Sequence, residues 1–216
     1  MTVIALTGGI AAGKTTVAEV LSSRGIRVVD ADQLARDAVA PGSSGLASIV
    51  ERFGPEVLDD AGGLDRQRLG ALIFGNDEAR NDLNDIVHPI VRDLSQRVFA
   101  EHLRNAPGQP LVYAIPLLAE SARSGEFDLV VVVHAPREAR IERLVTNRGM
   151  SRDEATSRVD AQATDAQRLA IADVVLDSSR DRDHTLRGAE ELAEALLAYW
   201  PDRLGEIPTS LPSSPR

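Results

Sequence analysis

The sequence predicts an α/β fold, a three-layer sandwich with a five-stranded parallel sheet between layers of helix. Three observations predict it. Five short apolar runs, Val3–Leu6, Ile26–Val29, Leu111–Ile115, Leu129–Val133 and Val174–Leu176, are separated by segments of helical spacing. The first run leads into a glycine-rich loop and then a helix. Between the second and third runs, about seventy residues carry helical spacing with no strand pattern, as a helical insertion would.

Composition sets the outer limits for this chain of 216 residues. Hydrophobic residues make up 43% and charged residues 26%, the balance of a globular protein with a sizeable core. With no cysteine, disulfides, thiolate metal sites and cysteine nucleophiles are excluded. Apolar runs such as Leu129–Val133 fall far short of the ~20 residues a membrane span needs. The start, Met1–Leu6, lacks the basic region of a secretory signal, so a cytoplasmic protein with no membrane partner is expected. A net charge of −9, from 33 acidic and 24 basic side chains, argues against nucleic acid as a partner. Of the basic residues 23 are arginine, and the single lysine is Lys14. Such an exception points to a place where a compact ammonium is needed and a planar guanidinium does not serve.

Taken in order, the elements place that lysine in a phosphate-binding loop. Val3–Leu6 is β-branched and apolar, as a buried strand should be. The next residues, Gly8-Gly9-Ile10-Ala11-Ala12-Gly13-Lys14-Thr15-Thr16, match G-x-x-x-x-G-K-[ST]. Val17, Ala18 and Leu21 then follow at helical spacing. Strand, loop and helix direct backbone N–H groups and a positive helix end at one anion. Lys14 would reach the β- and γ-phosphates, and the Thr15 hydroxyl would ligate Mg²⁺. After the second strand comes Asp30-Ala31-Asp32. Asp30 or Asp32 can N-cap a helix over Gln33–Val39, and the expected arrangement has Asp30 capping while Asp32 faces the phosphates from the strand's carboxyl end.

The insertion runs over about 40–108, and its last helix is expected to start near Pro89. His88, just before that proline, either contacts an acceptor or orients the helix start. Leu129–Val133, apolar throughout, reads as a central strand. The helix Pro136–Arg148 carries Arg137, Arg140, Arg143 and Arg148, and Ser151–Glu154 resembles a capping box opening another. This arginine-rich segment, about 137–165, reads either as a surface helix pair or as a lid aimed at charge on a transferring phosphoryl group. A last helix is expected around Leu186–Leu197. The tail, 201–216, holds four of the eleven prolines and reads as disordered.

A GTPase would need a guanine-specifying lysine, and there is none besides Lys14. A small-metabolite kinase fits better. The chain resembles the dephospho-CoA kinase family, from Val3 to Trp200. The resemblance rests on Leu6-Thr7-Gly8-Gly9-Ile10 with the loop, Val29–Asp32, Leu83-Asn84-x-x-Val87-His88-Pro89, Ile115-Pro116-Leu117-Leu118-x-Glu120, and Gln162-Ala163-Thr164 followed by Arg168–Asp173. It implies a P-loop kinase domain over 1–200, with its core in 1–39 and 109–200. It also implies that the insertion binds the acceptor and that a lid closes over ATP. The activity implied is ATP- and Mg²⁺-dependent phosphorylation of the ribose 3′-hydroxyl of dephospho-CoA. Shikimate, gluconate or nucleoside monophosphate kinases, and a nucleotide-binding switch, are the alternatives.

Carried over, Lys14 clamps phosphate, Asp32 accepts the hydroxyl proton and lies beside the metal, and Arg140 stabilises the transferring group. ATP would be held by Gly8, Gly9, Ala11, Ala12, Gly13, Lys14, Thr15, Thr16, Arg143 and Arg148. The acceptor would be held by Asp32, His88, Leu117 and Arg168. Two departures stand out. Ala11-Ala12 replaces the family's Gly-Ser or Gly-Ala, and the methyl of Ala11 calls for a negative φ there. Ala114 stands where many members carry aspartate.

Overall fold

The computed structural model describes residues 2–121 and 123–212. The chain forms two compact units, one made of the chain up to Asp30 and from His102 onward, the other of Ala31–Glu101.

The first unit is built on a wholly parallel sheet. Its strands are β1 (Ile4–Thr7), β2 (Arg27–Asp30), β3 (Leu111–Ala114), β4 (Leu129–His134), β5 (Val174–Asp177) and β6 (Ser210–Leu211), in the order β2-β3-β1-β4-β5-β6. Register sets Ile4 beside both Val112 and Leu129, so β1 lies at the centre. Side chains alternate between the two faces. Ile4, Leu6, Val131, Val133 and Leu176 pack with Val17 and Leu21 of α1 (Lys14–Ser23) and Leu192 and Leu196 of α10 (Arg182–Tyr199). Ala5, Val130 and Val132 pack on the other face with Leu118 of the short helix α6 (Leu118–Ser121), Phe127 and Ile171. Both faces of β4 are therefore covered, which is why Leu129–Val133 reads as an unbroken apolar run.

The sixth strand corrects the expected five, and it falls in the tail expected to be disordered. Leu176 of β5 pairs with Leu211, and Leu204, Ile207 and Leu211 are buried in the α1–α10 core. Three apolar side chains at wide intervals among prolines make a weak pattern, yet burying each contributes on the order of 1.5–3 kcal/mol. Residues 213–216 of that tail lie outside the described residues.

The second unit is helical among its described residues, apart from one bridge between Leu58 and Leu64. Its helices are α2 (Ala31–Asp37), α3 (Ser44–Phe53), α4 (Arg66–Ile73) and most of α5 (Asp77–Asn105). Ser43 caps α3 by accepting from the Leu46 N–H, and Asp65 caps α4 by accepting from Gln67 and Arg68. Ala38, Ile49, Phe53, Val57 and Leu69 form the core, against Leu83, Val87, Ile90 and Leu94 of α5. The last helix does not start near Pro89. That proline lies inside a 29-residue helix, because the apolar stripe continues on both sides of it. Packing along that stripe outweighs the ~3 kcal/mol an interior proline costs.

Candidate active site

The loop after β1 needs glycine at three positions for three reasons. A Cβ on Gly8 would sit 2.7 Å from the Val133 carbonyl oxygen of β4. A Cβ on Gly9 would sit 2.5 Å from Nη1 of Arg140. Gly13 has φ +99°, a left-handed conformation that favours glycine, and serves as N-cap of α1. Lys14 is then the first residue of α1, half-buried, with Thr15 exposed and Thr16 half-buried in the same turn. Free N–H groups at a helix start are anion donors.

Ala11 departs from expectation: its φ is +60°, left-handed, not negative. The loop path imposes it. The Ala12 N–H donates to the Gly9 carbonyl at 3.0 Å, Arg143 Nη1 donates to the Ala11 carbonyl at 3.2 Å, and the Ser178 hydroxyl donates to the Ala12 carbonyl. Ile10 and Ala11 also pack on Ile141, Leu144, Ala155 and Val159 of a helical hairpin formed by α7 (Arg137–Arg148) and α8 (Arg152–Asp160). The methyl group occupies this apolar roof, which offsets part of the ~1–2 kcal/mol that a left-handed L-residue costs. From the segment after α8, Gln162 Oε1 accepts the Ile10 N–H at 2.7 Å.

Arg140 and Arg168 come together beside Gly9, which the sequence numbering does not suggest. Arg168 belongs to α9 (Asp165–Leu169), a short helix opened by a capping box between Thr164 and Gln167. The two arginines are 2% and 3% exposed. Asp165 Oδ1 accepts from Arg140 Nη2 at 2.8 Å and from Arg168 Nη2 at 2.7 Å. Arg140 Nε donates to the Ala135 carbonyl at 3.1 Å, and Arg168 donates to the Ala163 carbonyl. Arg140 Nη1 is buried with no hydrogen-bond partner among the described residues. Burial, with the nearby Arg168 cation, lowers the Arg140 pKa from its ordinary value against the pull of Asp165. Burial of Asp165 would raise its carboxyl. The Arg168 hydrogen bond and the fields of Arg140 and Arg168 outweigh that and hold it below the usual range.

The remaining arginines act differently. Arg143 braces the loop, donating to the Ala11, Ser178 and Arg180 carbonyls, so its guanidinium is engaged by backbone. Arg148 is the exposed last residue of α7. Arg137 pairs with Asp160, and Arg152 with Glu138 and Glu142, joining α7 to α8 through exposed ion pairs.

Helix α2 starts at Ala31, two residues before the expected Gln33, so the exposed Asp32 lies in its first turn rather than capping it. Asp30 is the last residue of β2, paired with Ala114. Asp32 thus follows the sheet's carboxyl edge by two residues. In the second unit His88 is exposed in mid-helix. It lines an open cleft of about 470 Å³ with Asn84, Asp85, Pro89, Arg92, Asp93 and Gln96. Leu117, half exposed, follows β3. Asp165 and Ser178 are site residues that the sequence pattern does not mark as such. Asp165 lies inside a Thr-x-x-Gln capping pattern, Thr164 to Gln167, that would have located α9. Nothing in the spacing points to Ser178.

A family model described as dephospho-CoA kinase matches residues 2–183. A dephospho-CoA kinase of Frankia casuarinae is 45% identical over 92% of this chain and 85% of its own length. One of Mycobacterium tuberculosis is 44% identical over 99% of this chain, which spans 54% of that relative's length. The crystal structure of TT1252 from Thermus thermophilus superposes with TM-score 0.74 at 34% identity, over 92% of this chain and 97% of that one. The chain belongs to the dephospho-CoA kinase family.

Proposed function

We propose that the chain transfers the γ-phosphoryl group of ATP to the ribose 3′-hydroxyl of dephospho-CoA, giving coenzyme A and ADP, the final step of coenzyme A biosynthesis. Membership of the family supports the acceptor. The observation that carries the chemistry is the glycine loop with Arg140 Nη1, a buried donor lacking a partner among the described residues, set against Gly9. A buried guanidinium donor without an acceptor costs stability, and the oxygen of a bound phosphate would satisfy it.

In this reading the loop N–H groups and Lys14 hold the β- and γ-phosphates, and Arg140 meets charge on the transferring group. Gly8, Gly9, Ala11, Ala12, Gly13, Thr15 and Thr16 shape the cradle, while Arg143 fixes its back and Arg148 approaches ATP from the end of α7. The Thr15 hydroxyl and the Asp32 carboxylate, each exposed in the first turn of its own helix, are hard oxygen donors of the kind Mg²⁺ takes. When bound, the ion would neutralise phosphate charge. Asp32 accepts the proton of the 3′-hydroxyl as its oxygen bonds to phosphorus and ADP leaves with the electrons of the broken bond. The α7–α8 hairpin acts as the lid, and 40–108 as the acceptor-binding insertion, with His88 and Leu117 against the acceptor. The family resemblance puts Arg168 at the acceptor; its place beside Arg140 supports a role at the phosphates.

The test is a coupled assay of ADP release with ATP and Mg²⁺, run with dephospho-CoA, shikimate, gluconate and nucleoside monophosphates. Turnover with dephospho-CoA, giving a product phosphorylated at the 3′ position, is expected. Faster turnover of another acceptor would overturn the proposal.

A further inference from the structure

The carboxylate of Asp165 has no part in the scheme above, yet it is where two buried guanidiniums meet. Both donate to the same oxygen, Oδ1, at 2.8 and 2.7 Å. Two cations and one anion leave a single positive charge on the cluster. That charge lies beside Gly9, because a Cβ there would come within 3.1 Å of Arg140 Cζ and 3.2 Å of Arg168 Cζ. Arg140 is fixed at two of its three nitrogens, Nε on Ala135 and Nη2 on Asp165, and the third, Nη1, faces the loop with no acceptor among the described residues. The cluster is thus anchored on one side and open on the other.

We propose that Asp165 is a positioning residue for phosphoryl transfer: it holds Arg140 and Arg168 together so that Arg140 Nη1 stays directed at the terminal phosphate of bound nucleotide. The inference rests on the reading of Arg140 given above. Without the carboxylate, two guanidiniums a few ångströms apart in a buried place repel each other, and Arg140 loses one of its two anchors. With it, the pair keeps one unit of positive charge for an incoming anion. The neighbouring charged groups are Arg137, ion-paired to Asp160, and His134, whose field also acts on Asp165.

The experiment is a double-mutant cycle on the full chain with Asp165→Asn, Arg140→Met and the double variant, plus Asp165→Glu. Steady-state kinetics with dephospho-CoA gives kcat and KM, and calorimetry gives the affinities for ATP and ADP. Displacing a catalytic cation by about 1 Å costs on the order of 10²-fold, so Asp165→Asn is expected to lower kcat by roughly that factor. KM for dephospho-CoA stays near wild type, since the carboxylate does not touch the acceptor. The double variant is no slower than Arg140→Met, because both changes remove the same interaction. Asp165→Glu, which keeps the charge, recovers part of the loss and serves also if the asparagine variant does not fold. Both single variants reduce the preference for ATP over ADP, again without adding in the double.

Wild-type kcat in folded Asp165→Asn with a lowered Tm alone, or losses that multiply in the double variant, would overturn the inference. The nucleotide affinities need no acceptor. If wild type fails to use dephospho-CoA, the proposed function falls, and the binding cycle still decides the role of Asp165.

Discussion

Replacing Gly9 by alanine tests the close approach of the two arginines to the loop. The added Cβ would lie 2.5 Å from Arg140 Nη1, 3.1 Å from Arg140 Cζ and 3.2 Å from Arg168 Cζ. Ordinary contact begins near 3.4 Å, so the worst overlap is about 0.9 Å. The obstacles are the ends of side chains, and they can give way, but Asp165, Ala135 and Ala163 hold both guanidiniums. The methyl group therefore displaces the arginines together with their anchors. Overpacking of this size costs about 1–3 kcal/mol. At about 2–4 °C per kcal/mol for a chain of this size, Tm should fall by roughly 2–12 °C. The larger effect is on activity, with kcat down on the order of 10²-fold as Arg140 moves off line. Gly8→Ala gives the contrast, since its Cβ meets the Val133 carbonyl oxygen at 2.7 Å, which is sheet backbone and cannot yield. Its penalty should fall mainly on Tm. Melting curves and steady-state kinetics on both variants check the reasoning. A Gly9→Ala enzyme with unchanged kcat would refute the placement of Arg140 at the phosphates.

Two further outcomes are expected. Lys14→Arg should fold normally, because the residue is half-buried at a helix start, yet lose on the order of 10²-fold in kcat as the wider guanidinium shifts the phosphates; kinetics beside a melting curve reads both. The carboxyls of Asp165 and Asp177 are held low in the fold, Asp165 by the arginines against its burial, Asp177 by hydrogen bonds from Ser179 and His184 against its own. A depressed carboxyl contributes stability that is present above its unfolded value and lost as pH falls through the folded one. Below about pH 4, near the ordinary carboxylate range, wild type should lose stability more steeply than Asp165→Asn in denaturation curves taken across pH.

The sequence is most legible where chemistry and periodicity coincide. Val3–Thr16 reads as strand, loop and helix because a single motif fixes all three, and β4 is evident because both its faces are buried. Tertiary packing decides the rest. Pro89 looks like a helix start by local preference, and only the stripe Leu83, Val87, Ile90 and Leu94, packed on Ile49 and Phe53, carries α5 through it. β6 is hidden because two residues need only a paired edge and a few buried leucines. At Ala11, alanine's local preference gives the wrong sign of φ, since contacts from Arg143 and Ser178, far along the chain, set the loop. The arginine-rich α7–α8 segment could be located from sequence as a pair of helices, but the division of contacts among its arginines could not. Arg140 and Arg143 are three residues apart on one helix, yet one reaches Asp165 and the other the backbone of the β5–α10 connection. The meeting of Arg140 with Arg168 depends on α9 folding back against β4.

Asp32 separates a kinase from a protein that only holds a nucleotide. Asp32→Asn keeps the size of the side chain and removes the base. The decisive measurement is kcat with dephospho-CoA for this variant, taken with its ATP affinity and Tm. Loss of a general base predicts a drop of about 10²–10⁴-fold in kcat with ATP binding unchanged, because the proposed phosphate contacts lie in the loop of the first unit. An unchanged kcat, whatever happens to Tm, would contradict the account and return Asp32 to a purely structural place in the first turn of its helix.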